Sequence, residues 1–185
     1  GQKTHPNQGE KGTALNACAS SLGYSPYIVH RLDMLTGGLL LVAKNPAVVP
    51  ILNRQLTSKT LRRDYLATVD LNKEIPDSGT IDLPIGQDPF DQRKRQVRVD
   101  GLRAVSHFQV LAKDEEKKQA KLLVTLETGR THQIRVHLSA SGWPIVGDPL
   151  YNSNFAGEDL ALTGWQLTFV KPYSFNQVTV RLDKK

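Results

Sequence analysis

The chain has 185 residues, 39% of them hydrophobic and 23% charged, with a formal net charge of +6. This length can bury a real core and suits one domain spanning 1–185, and the composition excludes a disordered segment. One cysteine, Cys18, excludes an internal disulfide framework. No apolar run approaches the roughly 20 residues of a membrane span, and no signal-peptide pattern opens the chain. A cytoplasmic monomer is expected, and the basic balance favours a polyanionic partner without naming one.

In chain order, the spacing of Leu15, Cys18, Ala19 and Leu22 predicts a helix over 13–22. The run GLLLVA at 38–43 predicts a buried strand. Asn45-Pro46 offers an N-cap and a proline at the first helical position, predicting a helix over 46–55 that Pro50 kinks or shortens. β-type composition predicts strands over 65–69, 105–112, 121–126, 160–170 and 177–182, with a charged hairpin tip at 114–118. The stretches 75–79 and 83–91, rich in Pro, Asp and Gly, predict loops. Thr131 is the predicted cap of a helix through QIRVHLSAS, with Gly142 as its stop and Ile134 and Leu138 on one apolar stripe. Consecutive strands with short connections imply an α+β fold, with a largely antiparallel sheet and helices against it.

Two segments carry most of the chemistry: His30-Arg31-Leu32-Asp33 followed by MLTGGLLLVAK, and ETGRTHQIRVHLSASGWPIVGDPLY over 127–151. Asp33 follows the β-type pair Ile28-Val29 and precedes Thr36-Gly37-Gly38, a turn that can aim a carboxylate into a cleft. On local sequence alone it is equally a turn-capping aspartate. Arg135 lies near a helix start, where the positive end of the helix adds to its field; Arg130 is its rival. Tyr65, in RRDYLA, reads locally as a core tyrosine. Two basic groups, Arg54/Lys59/Arg62/Arg63 and Arg93/Lys94/Arg95/Arg98/Arg103, can follow a phosphate backbone. A metal site is not expected. His132 and His137 are off the i, i+4 spacing of a helical pair, His5, His30 and His107 form no cluster, and the one cysteine has no companion.

The two segments, with RRDYLA between them, resemble the RNA pseudouridine synthases of the RluA branch, and the likeness spans nearly the whole chain. The resemblance implies a mixed, largely antiparallel sheet with flanking helices and a central catalytic cleft. It also implies cofactor-free isomerisation of uridine to pseudouridine in ribosomal or transfer RNA. Asp33 matches the catalytic aspartate, Arg135 the basic residue that pairs with it, and Tyr65 the aromatic beside the target uracil. Arg31, Arg62, Arg63 and Arg130 are then expected to contact RNA. This chain departs from the usual Thr-Ser-Gly in reading Thr36-Gly37-Gly38, which keeps the turn and loses a hydroxyl. In the family a strand and an N-K-P-x-G turn come first. Gly1 is expected to be the glycine of that turn, with the leading strand and any appended RNA-binding domain outside this chain.

The reaction breaks the N1–C1′ bond, turns the uracil and rejoins it through C5. Electrons are not transferred, so it needs one ionised carboxylate near C1′ and neither a redox cofactor nor a triphosphate. The carboxylate can attack C1′ or remove the 2′ proton, and sequence does not choose between them. Two other classes stay open: a non-catalytic RNA-binding module, and a glycoside hydrolase. A hydrolase wants a second carboxylate as acid, and neither segment offers one.

Overall fold

A computed structural model describes residues 3–4 and 11–183, and the chain divides into two units, 1–63 with 164–185 and 64–163. Gly1, read above as a turn glycine, and His5 lie outside the described residues.

The first unit opens with α1 (Ala14–Leu22), whose start is fixed by a reciprocal cap: Thr13 Oγ1 accepts the Asn16 N–H, and Asn16 Oδ1 accepts the Thr13 N–H. Strands β1 (Tyr27–Ile28) and β3 (Val42–Ala43) pair antiparallel, with β2 (Gly37–Gly38) between them in sequence. The predicted strand over 38–43 is therefore broken into two short pieces, and only Ala43 of it is buried. The reason lies in its backbone donors. Leu39 N–H donates to Gly164 O and Leu41 N–H to the imidazole of His30, so no single partner strand runs alongside.

Asn45 caps a 3₁₀ turn over Pro46–Val48, accepting the Ala47 N–H at 2.9 Å, and α2 (Val49–Thr57) follows. Pro50 falls in the first turn of α2, where its missing N–H costs nothing; the kink takes the form of this helix change. The hairpin of β10 (Leu162–Val170) and β11 (Gln177–Arg181) completes the unit. Gln55 joins α2 to it by donating to Val170 O at 2.7 Å and accepting the Val170 N–H at 2.8 Å. Val29, Ala43, Leu52 and Leu61 form the core, with Phe169 packed against it.

The second unit takes up β4 (Arg62–Asp70) from Asp64 onward and pairs it antiparallel with β9 (Gln119–Leu126), then β8 (Val105–Asp114), then β5 (Ser78–Asp82). Tyr65, Ala67 and Val69 alternate along β4 and pair with Val124, Leu122 and Ala120, all buried. That is the period-2 pattern of a strand with one buried face. A separate antiparallel ladder joins β6 (Ile85–Gln87) to β7 (Arg95–Val97). Strand β5 falls partly, and β6 wholly, in segments predicted as loops, because both are short and carry few apolar residues: Ile81 is the one buried residue of β5.

The last helix, α3 (Gln133–Ala140), ends as expected: Gly142 is left-handed at φ +89°, donates to Ser139 O, and Trp143 N–H donates to Leu138 O. Its start differs. Thr131 is exposed, His132 holds the cap position at φ +57°, and no side chain caps the helix there. Nor is it buried on one stripe: all six residues from Gln133 to Leu138 are buried, three of them polar. None of the described helices is long and apolar enough to cross a membrane.

Candidate catalytic site

In the first unit, β1 delivers the chain to His30-Arg31-Leu32-Asp33. Asp33 opens a tight turn in which the Thr36 N–H donates to Asp33 O at 2.9 Å. Two neighbours hold this segment. Thr4, itself buried, donates from Oγ1 to Leu32 O at 2.7 Å and accepts the Leu32 N–H at 3.0 Å. Residue 32 is thus gripped at both backbone groups, one position before the carboxylate. His30 is also buried, and its Nε2 accepts the Leu41 N–H at 3.1 Å. That acceptor role requires a bare Nε2. Burial, reinforced by the charge of Arg63, holds the His30 pKa down at about 4, so the ring is neutral at physiological pH.

Asp33 itself is half-buried, while Arg31, Met34 and Leu35 beside it are exposed. A close approach sets the far side of the turn. Gly38 has φ +122°, and a Cβ there would stand 2.3 Å from Gly164 O. Gly37, where the family usually has serine, has nothing within 4 Å of an added Cβ. Arg62 is exposed and Arg63 half-buried at the start of β4.

The second unit holds Tyr65, Arg130 and Arg135. Tyr65 is 5% exposed on the buried face of β4. Arg135 is 2% exposed, and its Nε and Nη2 form a fork on Asp148 at 2.8 and 2.7 Å. Asp148 is fully buried, and its Oδ1 also accepts the N–H groups of Leu150 and Tyr151. Arg135 stacks over the Tyr151 ring at 5.0 Å to the centroid. The Tyr151 hydroxyl accepts the Arg95 N–H and lies 2.8 Å from His132 Nδ1. Planar fork, buried carboxylate and aromatic face together fix the guanidinium plane.

Gln133 organises the loop before α3. Its Oε1 accepts the Thr128 hydroxyl and the Arg130 N–H, while its Nε2 donates to Val105 O and Ser106 Oγ. Arg130 is exposed, with Nε on Arg103 O at 3.0 Å. His137 is fully buried between Ser106 Oγ and Leu83 O. Its proton sits on Nε2, facing the carbonyl, and burial lowers its pKa. Among the described residues, no three His, Cys, Asp or Glu side chains group closely enough to hold a metal ion.

Residues 2–140 match the model of the RNA pseudouridylate synthase family. The chain belongs to that family. It is 41% identical to ribosomal large subunit pseudouridine synthase D of Nitrosomonas europaea, over 94% of this chain and 54% of that protein. It is 45% identical to the uncharacterised RNA pseudouridine synthase YlyB of Bacillus subtilis, over 82% of this chain and 52% of the relative. The chain therefore spans about half the length of these curated relatives. The solved human RNA pseudouridylate synthase domain containing 1 superimposes with a TM-score of 0.78 at 26% identity, covering 93% of this chain and 74% of that one. The α+β fold expected for a pseudouridine synthase is the fold observed.

Several residues of this family member carry no functional motif that singles them out. Asp148 had a readable signal: an aspartate before Pro149 is a cap pattern, and Asn152 N–H does return to Asp148 O to close one helical turn. Gln133 and Thr4 had none, since the partners that make them matter, Val105 and Ser106 for Gln133 and Leu32 for Thr4, are 27 or more residues away.

Proposed function

We propose that this chain isomerises uridine to pseudouridine in structured RNA, ribosomal or transfer, within the cytoplasm and without a cofactor. Residues 1–185 act as one catalytic domain. The observation that carries this reading is the Asp33 turn: a half-exposed carboxylate on a backbone clamped by Thr4 and His30, within a chain of this family. Ribosomal RNA is favoured by the name of the Nitrosomonas relative, a ribosomal large subunit synthase.

Asp33 is the catalytic residue. As a nucleophile it displaces uracil from C1′ and is itself displaced when C5 bonds to C1′; as a base it removes the 2′ proton as uracil leaves and returns it to C2′ when C5 bonds to C1′. On either route C5 then loses its proton to solvent and N1 takes one up. Arg135 is proposed as the cation that keeps Asp33 ionised, and its fork on Asp148 supports a fixed orientation for that task. Tyr65 is proposed as the aromatic beside the base, Arg31, Arg62, Arg63 and Arg130 as RNA contacts, and the monomer as the working unit.

The test is tritium release from RNA labelled at uridine C5. The parent protein should release label and form pseudouridine, while Asp33→Asn falls to background and still binds RNA, because phosphate contacts supply most of the affinity. Release by the Asn variant near the parent rate refutes the catalytic assignment. Free uracil as product identifies a hydrolase, and binding without product a module.

A further inference from the structure

The tip joining β6 to β7 carries Phe90, whose side chain is 97% exposed. An aromatic ring left in water contributes nothing to the fold. Yet the tip that presents it is tightly built. Asp88 Oδ1 accepts the N–H groups of Phe90 and Asp91 at 2.8 and 3.0 Å. Asp91 accepts the Arg93 N–H at 2.9 Å and takes the Arg93 guanidinium as a fork. Gln87 Nε2 donates to Gln92 O at 2.7 Å. The loop spends side-chain bonds on holding one shape, and that shape projects an aromatic side chain.

Gln87 and Arg95, which pair at the base of this tip, also line an open cleft of about 390 Å³. Gly86 and Gly101 form part of its wall, and Arg130 and Thr131 enter it from the loop before α3. Arg95 Nη1 donates to Gln92 O and Lys94 O, and Arg130 Nε donates to Arg103 O. These carbonyls orient the guanidinium groups without neutralising them, and no carboxylate among the described residues pairs with either. Asp100, also in the lining, is already forked by Arg98 at 2.7 Å. Two unneutralised guanidinium groups in a small polar cleft suit an oxyanion. A lone exposed ring on a polar tip, where Arg93 offsets Asp91 and Lys94 follows, suits a stacked base better than an apolar protein face.

We propose that this hairpin and cleft form an RNA-strand subsite: a backbone phosphate sits between Arg95 and Arg130, and Phe90 stacks on an unpaired base of the same strand. The proposal rests on the RNA reading above. Phe90 then helps select RNA whose target region is single-stranded nearby, and its loss raises KM rather than lowering kcat.

Fluorescence anisotropy with a labelled single-stranded RNA oligonucleotide tests this, beside tritium release on ribosomal RNA. Phe90→Ala, which touches no buried contact, should bind about tenfold more weakly, and Phe90→Trp should bind as the parent does. Arg130→Gln should lower the slope of log affinity against log salt by about 1. If the parent protein is active and Phe90→Ala binds within twofold of it, the subsite is wrong and the catalytic reading stands. If the parent neither binds RNA nor releases tritium, both fall.

Discussion

Beside Asp33, Met34 and Leu35 are 49% and 36% exposed, and strands of two residues carry the backbone. Around Arg135, six consecutive helix residues are buried, and Asp148, Gln133, His137 and Tyr151 each hold more than one partner. The first region is open to solvent on one side, though its backbone is clamped at Leu32; the second is closed and saturated with polar bonds. A carboxylate that must meet a ribose has to be open on one side. A cation that must present a fixed plane is better enclosed, provided its charge is matched there. The two carboxylates should therefore respond to substitution differently: Asp33 in rate alone, Asp148 first in stability.

The sharpest way to break that contrast is the buried pair. Asp148→Asn leaves Arg135 without its matching charge, and Arg135→Ala leaves Asp148 likewise. Each should cost about 3–5 kcal/mol of unfolding free energy. Arg135→Lys should cost less than Arg135→Ala, since it keeps the charge and loses the fork. Urea denaturation reads all three, with Asp33→Asn as the comparison expected to unfold at the parent midpoint. An Asp148→Asn protein as resistant to urea as the parent would mean that the pair does not hold this unit together.

This asymmetry also explains what sequence made legible. Caps written in adjacent residues were readable at Asn45 with Pro46 and at Gly142 closing α3, while Thr13, read as part of the first helix, proves to be its cap. Strands with clear alternation, such as β4, were readable too. The GLLLVA run misled because hydrophobicity reports burial and not backbone pairing. Its donors turn to His30 and Gly164, 11 and 125 residues from the donors at Leu41 and Leu39. Thr131 misled for a related reason: Gln133, reaching across to β8, organises the loop in its place. Side chains at Asp33, Tyr65 and Arg135 attracted notice through the motifs around them. Thr4 acts through two bonds to Leu32, 28 residues away, and Gln133 joins its own loop to β8; a linear sequence carries no pattern for such long-range partners.

A smaller effect, and a pH-dependent one, belongs to His30. Its pKa is held at about 4 in the folded chain, against an ordinary value of 6.5. Above pH 6.5 the ring is neutral in both states and its contribution is intact. As pH falls from 6.5 towards 4, the unfolded chain takes up a proton that the folded chain refuses, so stability is lost across that window. The loss should reach on the order of 2–3 kcal/mol near pH 4. His137, also lowered by burial, adds in the same sense. His30→Gln offers an amide oxygen in place of Nε2 and should give a shallower slope of stability against pH between 4 and 6.5. Equal slopes in variant and parent would remove His30 from the account.

The smallest expected effect separates two adjacent glycines in the Asp33 turn. Gly37→Ser restores the hydroxyl that the family usually carries, at a position where an added Cβ meets nothing within 4 Å. Stability should change by less than about 0.5 kcal/mol, as for other substitutions that displace nothing. Activity should stay within a few-fold of the parent, in either direction. One residue on, Gly38→Ala forces a φ of +122° on a residue with a side chain and drives its Cβ into Gly164. Backbone strain alone is worth about 1–3 kcal/mol, before the clash. The turn should then shift and carry Asp33 with it, so tritium release should fall along with the melting temperature. If Gly37→Ser instead lowers both as far as Gly38→Ala does, the turn tolerates no side chain at either position. The absent serine would then be a requirement of this chain's packing rather than a neutral departure from its family.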